Sequence, residues 1–329
     1  LSSWITGSID SDPVTADYHS TRQLIGFIDC GINGETSIQY DLLDGADLRF
    51  SPDGSGAQKP FVPNPFPRCP DANSWGREGA EKRIRPHLFW SAIHLAQPDE
   101  AGRQRGVLIS VTQSPGGYAD DFLKLLDTVW NNLDLSRFFY EPTDAHKQEL
   151  WAKCLRACLD YFGEDSREYE LLERGIVLHH GKMPGSLGRL LVRAIRERVV
   201  NLVIATSTLS EGVNLPFETV LIPSLRRATS SISAREFGNL TGRAGRPGYG
   251  TEGSSLVLLP QTFGDDQHRD QVARAKQRYA GIVDQMRQSP ISDAQVRAVS
   301  PLAVLLSHVN TLWQRVSGTI SDHGFIEWL

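Results

Sequence analysis

The 329-residue sequence predicts an α/β protein built on a parallel, doubly wound sheet. Three observations predict it. Five short apolar runs have strand length and no polar alternation, which suits strands buried on both faces: Val107 to Val111, Ile176 to Leu178, Leu202 to Ala205, Thr219 to Ile222 and Ser255 to Leu259. Helix-periodic segments alternate with these runs, as in βαβ units. Hydroxyl or glycine residues follow several of them, where open α/β sheets hold their ligands.

Taken in order, Ile38 to Phe50 carries alternating segments suited to short strands, and Ser51 to Trp75, rich in Pro, Gly and Asn, reads as a linker or surface insertion. Arg83 to Gln97 is a predicted helix, because Leu88, Phe89, Ala92, Ile93 and Ala96 recur at helical spacing. The first apolar strand leads to a helix over Tyr118 to Leu133. The stretch 112–175 is long for a strand-to-strand connection and holds at least two helices, one over Asp144 to Phe162. Helices follow over Leu187 to Val199 and from near Ile232. Beyond Pro260 the pattern turns helical and polar, over Asp265 to Arg287 and Asp293 to Val316, with Ile320 to Leu329 trailing. These breaks divide the chain into a segment 1–82 with short strands and a Pro/Gly-rich linker, an α/β domain 83–262 and a helical extension 263–329.

Hydrophobic residues make up 40% of the chain, enough for a sizeable core. The net charge of -5 excludes a global basic field, so nucleic-acid binding would need a local stripe. Cys30, Cys69, Cys154 and Cys158 form no Cys-x-x-Cys pair, which points to a reducing compartment; Cys154 and Cys158, four apart on a helix, read as small core residues. No apolar run approaches membrane-spanning length and the amino end has no signal pattern, so no membrane partner and a cytoplasmic location are expected.

Four strings carry chemistry. Asn239-Leu240-Thr241-Gly242-Arg243-Ala244-Gly245-Arg246-Pro247-Gly248 places two arginines three residues apart in a glycine-punctuated turn, so both guanidinium groups can converge on a polyanion. Asn201 to Pro216 runs a buried strand into a hydroxyl-rich turn, Thr206-Ser207-Thr208, followed by Glu211-Gly212-Val213-Asn214. Such hydroxyls and backbone N–H groups suit phosphate oxygens. Gly175 to Gly181 is a short strand ending in His179-His180-Gly181. Adjacent strand histidines point to opposite faces and no further ligand follows at metal spacing, so no metal site is expected. Gly106 to Ser114 is a strand ending in hydroxyls, Thr112 among them. No Gly-x-x-x-x-Gly-Lys-Ser/Thr occurs, so the sequence cannot build a P-loop, and Asp99-Glu100 follows Gln97-Pro98 rather than the strand a Walker B box needs.

In this order the strings resemble motifs IV, the intervening His-His-Gly, V and VI of superfamily 2 helicases of the Ski-like branch, over about residues 105 to 260. The resemblance implies a RecA-like second lobe of the P-loop NTPase type, without the lobe that carries the P-loop, followed by the opening of a winged-helix region. It implies that Arg243 and Arg246 act as arginine fingers toward ATP with Mg2+ bound mainly on the first lobe of the same chain. Asn239, Gly242, Glu211 and Gly212 would face the nucleotide, although the motif commonly opens with Gln where Asn239 stands. Thr112, His180, Gly181, Thr206, Ser207, Thr208 and Asn214 would contact single-stranded DNA or RNA. The fragment alone is expected to be inactive. A reading from another class is a non-catalytic RecA-like module that binds nucleic acid or a protein.

Overall fold

The apolar runs become strands because each alternates its side chains between two separate cores. On Val107 to Val111, Leu108 joins one core while Val107, Ile109 and Val111 join the other; Val203 and Ala205 part from Leu202 and Ile204 in the same way. Burial on both faces explains the continuous hydrophobicity. The computed structural model describes residues 22–288 apart from 32, 45, 48–59, 73–74, 76–79, 140, 207–208, 210–214, 228–229, 246–251 and 261–265, together with residues 309 and 313. Ala16–Gln288 forms one compact unit and contains every element below. The expected helix over Asp293 to Val316 and the segment Ile320 to Leu329 lie outside the described residues, except for 309 and 313.

The elements are β1 (Arg22–Cys30), β2 (Thr36–Leu43), β3 (Ala46–Asp47), β4 (Phe61–Pro63), α1 (Ala80–Arg83), α2 (Arg85–Leu95), β5 (Val107–Val111), α3 (Pro115–Lys124), α4 (Ala145–Phe162), α5 (Arg167–Glu173), β6 (Ile176–His179), α6 (Gly185–Arg196), β7 (Leu202–Thr206), β8 (Thr219–Ile222), β9 (Arg226–Arg227), β10 (Ser230–Ser231), α7 (Ala234–Thr241), β11 (Glu252–Pro260) and α8 (Asp266–Gln288). A nine-stranded sheet runs β3-β2-β1-β11-β8-β5-β7-β6, with β4 also on β2. From β1 to β6 every neighbouring pair is parallel; β2, β3 and β4 add an antiparallel margin. The fold is α/β and RecA-like, with helices on both faces.

All five apolar runs are strands in this sheet. Two further strands depart from the sequence reading. β1 was hidden because Gly26 and Asp29 interrupt its apolar residues, yet it pairs in register with β11 from Arg22–Glu252 to Cys30–Pro260. Its pairing with β2 shifts at Ile25/Gly26, where a Cβ on Gly26 would sit 2.2 Å from the Gln39 carbonyl oxygen. Inside the stretch read as a linker, β4 pairs with β2 despite exposed Phe61 and Val62.

Local signals set the helix ends. Asp144 and Ser166 cap α4 and α5 by accepting from the Lys147 and Tyr169 amides, and Ser233 with Glu236 forms a capping box on α7. Cys154 and Cys158 lie buried on α4, with burial pushing both thiols up to about 12. The helix α8 lies against the antiparallel margin: the Tyr279 hydroxyl donates to Asp41 Oδ2 at 2.6 Å, and the Tyr279 ring meets Phe27 edge-on at 5.4 Å.

Candidate functional site

The parallel strands bring three of the expected segments to one edge. Register pairs Val111 with Thr206 and Ala205 with His179, so Thr112, Thr206 and His180-Gly181 stand side by side at the carboxyl ends of β5, β7 and β6. Ligands of open α/β sheets bind at this edge. The Thr112 hydroxyl donates to the Arg226 carbonyl oxygen at 2.6 Å, joining the end of β5 to the hairpin β9–β10.

The two histidines have unlike surroundings. Burial, and then the neighbouring His180, pushes His179 down to about 4, so its ring is neutral at pH 7. His180 Nε2 lies 3.1 Å from Glu168 Oε1 on α5, and its ring meets Phe162 edge-on at 6.1 Å. The stretch 112–175 therefore supplies the carboxylate that fixes the His180 ring. Nothing in the sequence points to Glu168, because the contact is made only when α5 packs beside β6. Among the described residues no group of three or more His, Cys, Asp or Glu could hold a metal ion.

Arg243 stands elsewhere. The helix α7 returns from the carboxyl edge toward the opposite one and ends at Thr241. Gly242 and Arg243 turn the chain so that Ala244 bridges Phe217, just ahead of β8. The Gly245 amide donates to the Phe217 carbonyl oxygen at 2.9 Å. Gly245 has φ +61 and crosses the backbone of Gly253 on β11 so closely that a Cβ on Gly253 would lie 2.2 Å from the Gly245 nitrogen. Only glycine permits that approach. The Ser255 hydroxyl reaches the Thr241 carbonyl oxygen at 3.3 Å, a second tie to β11. Within this turn Arg243 is only 6% exposed, and its Nε donates to the Asn239 carbonyl oxygen at 3.2 Å.

The amino edge is also bound together by charge. Glu218 Oε2 accepts from the Gly106 amide at 2.5 Å, Glu218 Oε1 pairs with Arg198 Nη2 at 2.5 Å, and Arg198 Nη1 reaches the Gln104 carbonyl oxygen at 2.5 Å. Of the residues expected from the sequence, Thr112, His180, Gly181 and Thr206 are thus brought together. Asn239, Gly242 and Arg243 are gathered separately, toward the opposite end of β8, where their turn bridges Phe217. Ser207, Thr208, Glu211, Gly212, Asn214 and Arg246 lie outside the described residues.

The described architecture is a mostly parallel, RecA-like α/β sheet. No protein-family profile matches the chain. It is 34% identical over 129 residues to the Hachiman protein HamB of Bacillus cereus, covering 38% of this chain and 12% of that protein. It is 34% identical over 94 residues to the ATP-dependent DNA helicase Hel308 of Thermoplasma acidophilum, covering 27% and 14%, and 34% identical over 92 residues to the antiviral helicase SKI2 of Saccharomyces cerevisiae, covering 27% and 7%. These similarities to helicases, each over part of the chain, are consistent with a superfamily 2 helicase domain, and the chain spans a small fraction of the length of these relatives. Among the described residues no helix is long and apolar enough to cross a membrane.

Proposed function

We propose that the chain is the second RecA-like lobe of an ATP-dependent nucleic-acid helicase, with its nucleic-acid contacts and its nucleotide-facing turn on different edges of one sheet. The observation that carries this reading is the Gly245–Gly253 crossing, which fixes the turn holding Arg243 and leading to Arg246. A turn that must supply a guanidinium group to a phosphate bound on another lobe has to be rigid, since positional slack weakens such stabilisation.

In this reading ATP is the substrate, held with Mg2+ mainly on a first lobe that carries the P-loop this sequence does not contain. Arg246 reaches the γ-phosphate and stabilises the charge that develops during phosphoryl transfer. Arg243, buried and bonded back to Asn239, positions that turn and adds positive potential. A planar guanidinium fork binds phosphate oxygens two at a time, which lysine cannot do. Thr112, His180, Gly181 and Thr206, with Ser207, Thr208 and Asn214, contact the phosphates and sugars of single-stranded DNA or RNA without reading bases. Nucleotide-driven closure of the lobes then moves the strand.

The test is Arg246→Ala in the full-length protein, measuring ATP hydrolysis with and without single-stranded nucleic acid. The expected loss is about 10³- to 10⁵-fold, roughly 4 to 7 kcal/mol of transition-state stabilisation, with unchanged thermal unfolding. Retained turnover overturns the assignment.

A further inference from the structure

A basic pocket lies on the carboxyl edge, beyond the motif segments. The chain past β8 (Pro223 to Arg226) and the end of β11 form the floor of a pocket of about 370 Å³, with walls from α1, the start of α2, and α8. Lys82, Arg85, Arg226, Arg274 and Arg278 line it, against one carboxylate, Glu81. That local excess runs against the chain as a whole, which has 39 acidic residues to 34 basic ones. Glu81 accepts from the Ser224 hydroxyl at 2.9 Å. Arg85 is committed to the protein: it stacks 3.9 Å over the Tyr118 ring and pairs with Asp121. Arg274 lies 3.7 Å from Asp270, with both side chains largely exposed. Arg278, half-buried, enters no ion pair among the described residues.

The pocket adjoins the motif segments directly, because the Arg226 carbonyl oxygen accepts from Thr112 and β8 neighbours β5 in the sheet. We propose that this pocket binds phosphate groups of the same nucleic-acid strand, extending its path from the ends of β5, β6 and β7 over those of β8 and β11. The inference rests on the nucleic-acid reading of the carboxyl edge. Two guanidinium groups one helical turn apart on α8, facing Arg226 and Lys82 across a concave floor, suit successive phosphates of a flexible strand.

The experiment measures binding of a fluorescent single-stranded oligonucleotide to the full chain across a salt series. Wild type is compared with Arg274→Gln/Arg278→Gln, with Arg274→Lys/Arg278→Lys and with Thr206→Ala. Each lost phosphate contact lowers the slope of log affinity against log salt by about 0.7, so the Gln pair is expected to lower it by about 1.4 and the Lys pair to restore it. Thr206→Ala weakens binding and leaves the slope as in wild type, because it removes no charge. If the Gln pair misfolds, Arg274→Gln alone, on an exposed side chain, should still lower the slope by about 0.7. An unchanged slope beside a weakened Thr206→Ala overturns the pocket and leaves the wider reading standing. Absence of oligonucleotide binding by wild type overturns both. Saturation by inorganic phosphate that needs Arg274 and Arg278, with the oligonucleotide slope unmoved, makes the pocket a small-anion site and also overturns the proposal.

Discussion

The two edges of the sheet are built on opposite plans. At the amino edge, backbone crosses backbone at Gly245 and Gly253, Arg243 is buried against its own helix, and Glu218 ties Gly106 and Arg198 together. At the carboxyl edge the expected contact residues are half-exposed side chains at strand ends, held by single hydrogen bonds such as Thr112 to Arg226 and His180 to Glu168. One edge is fixed by sterics and buried charge, the other by contacts that a ligand can replace. Rigidity suits a group that must meet a transition state, and lighter restraint suits a strand that has to be released in every cycle.

The sharpest way to break the contrast is Gly253→Ala. Its Cβ would meet the Gly245 backbone at 2.2 Å, and neither partner is a flexible side-chain tip. The expected cost is about 3 kcal/mol or more, read as a lower midpoint of denaturant unfolding, with nucleotide turnover in the full-length protein lost at temperatures where the fold survives. A neutral Gly253→Ala would mean that the turn is not locked.

Glu218→Ala tests the charged part of the same edge. It strands the Gly106 amide and a partly buried Arg198, so a loss of about 2 kcal/mol is expected in the same measurement. Arg198→Met in that background should recover part of the loss, since the stranded charge is then gone.

The smallest effect belongs to the carboxyl edge. Burial lowers His179 to about 4 from an ordinary value of 6.5, so the unfolded chain takes up a proton there before the folded one does. Stability from the neutral ring is present above pH 6.5 and is lost as pH falls from 6.5 toward 4. His87, also lowered to about 4 by burial, acts in the same direction from beneath the sheet. His179→Asn should flatten the acid limb of the stability curve by less than about 1 kcal/mol per pH unit, because the ring is only partly enclosed. An unchanged acid limb would show that His179 contributes nothing to it.

The sequence made much of the sheet legible and little of its edges. Five strands could be read because burial on two faces leaves uninterrupted Val, Ile and Leu runs. β1 could not, since it borders the antiparallel margin, where Gly26 serves a register shift against β2 and Asp29 faces Lys276. The motif residues were legible as strings. Their division between two edges was not, because it follows from α7 running back across the sheet to Phe217. Glu168 and the basic pocket were invisible for the same reason: each joins residues far apart in the chain, 12 apart for His180 and Glu168 and 143 apart for Glu81 and Ser224.

The pairing of β1 with β11 also governs how the molecule is made. Arg22 meets Glu252 only after the intervening chain has left the ribosome, on the order of 10 to 50 s later at typical elongation rates. Throughout that interval the apolar residues Ile25, Phe27 and Ile28 have no central sheet to join, and the β1 edge of the small antiparallel β1–β4 sheet stays open. Nascent chains of this protein should therefore depend on holding chaperones more than the order of their helices suggests, and the last parallel strand to be synthesised is the one that ends that exposure.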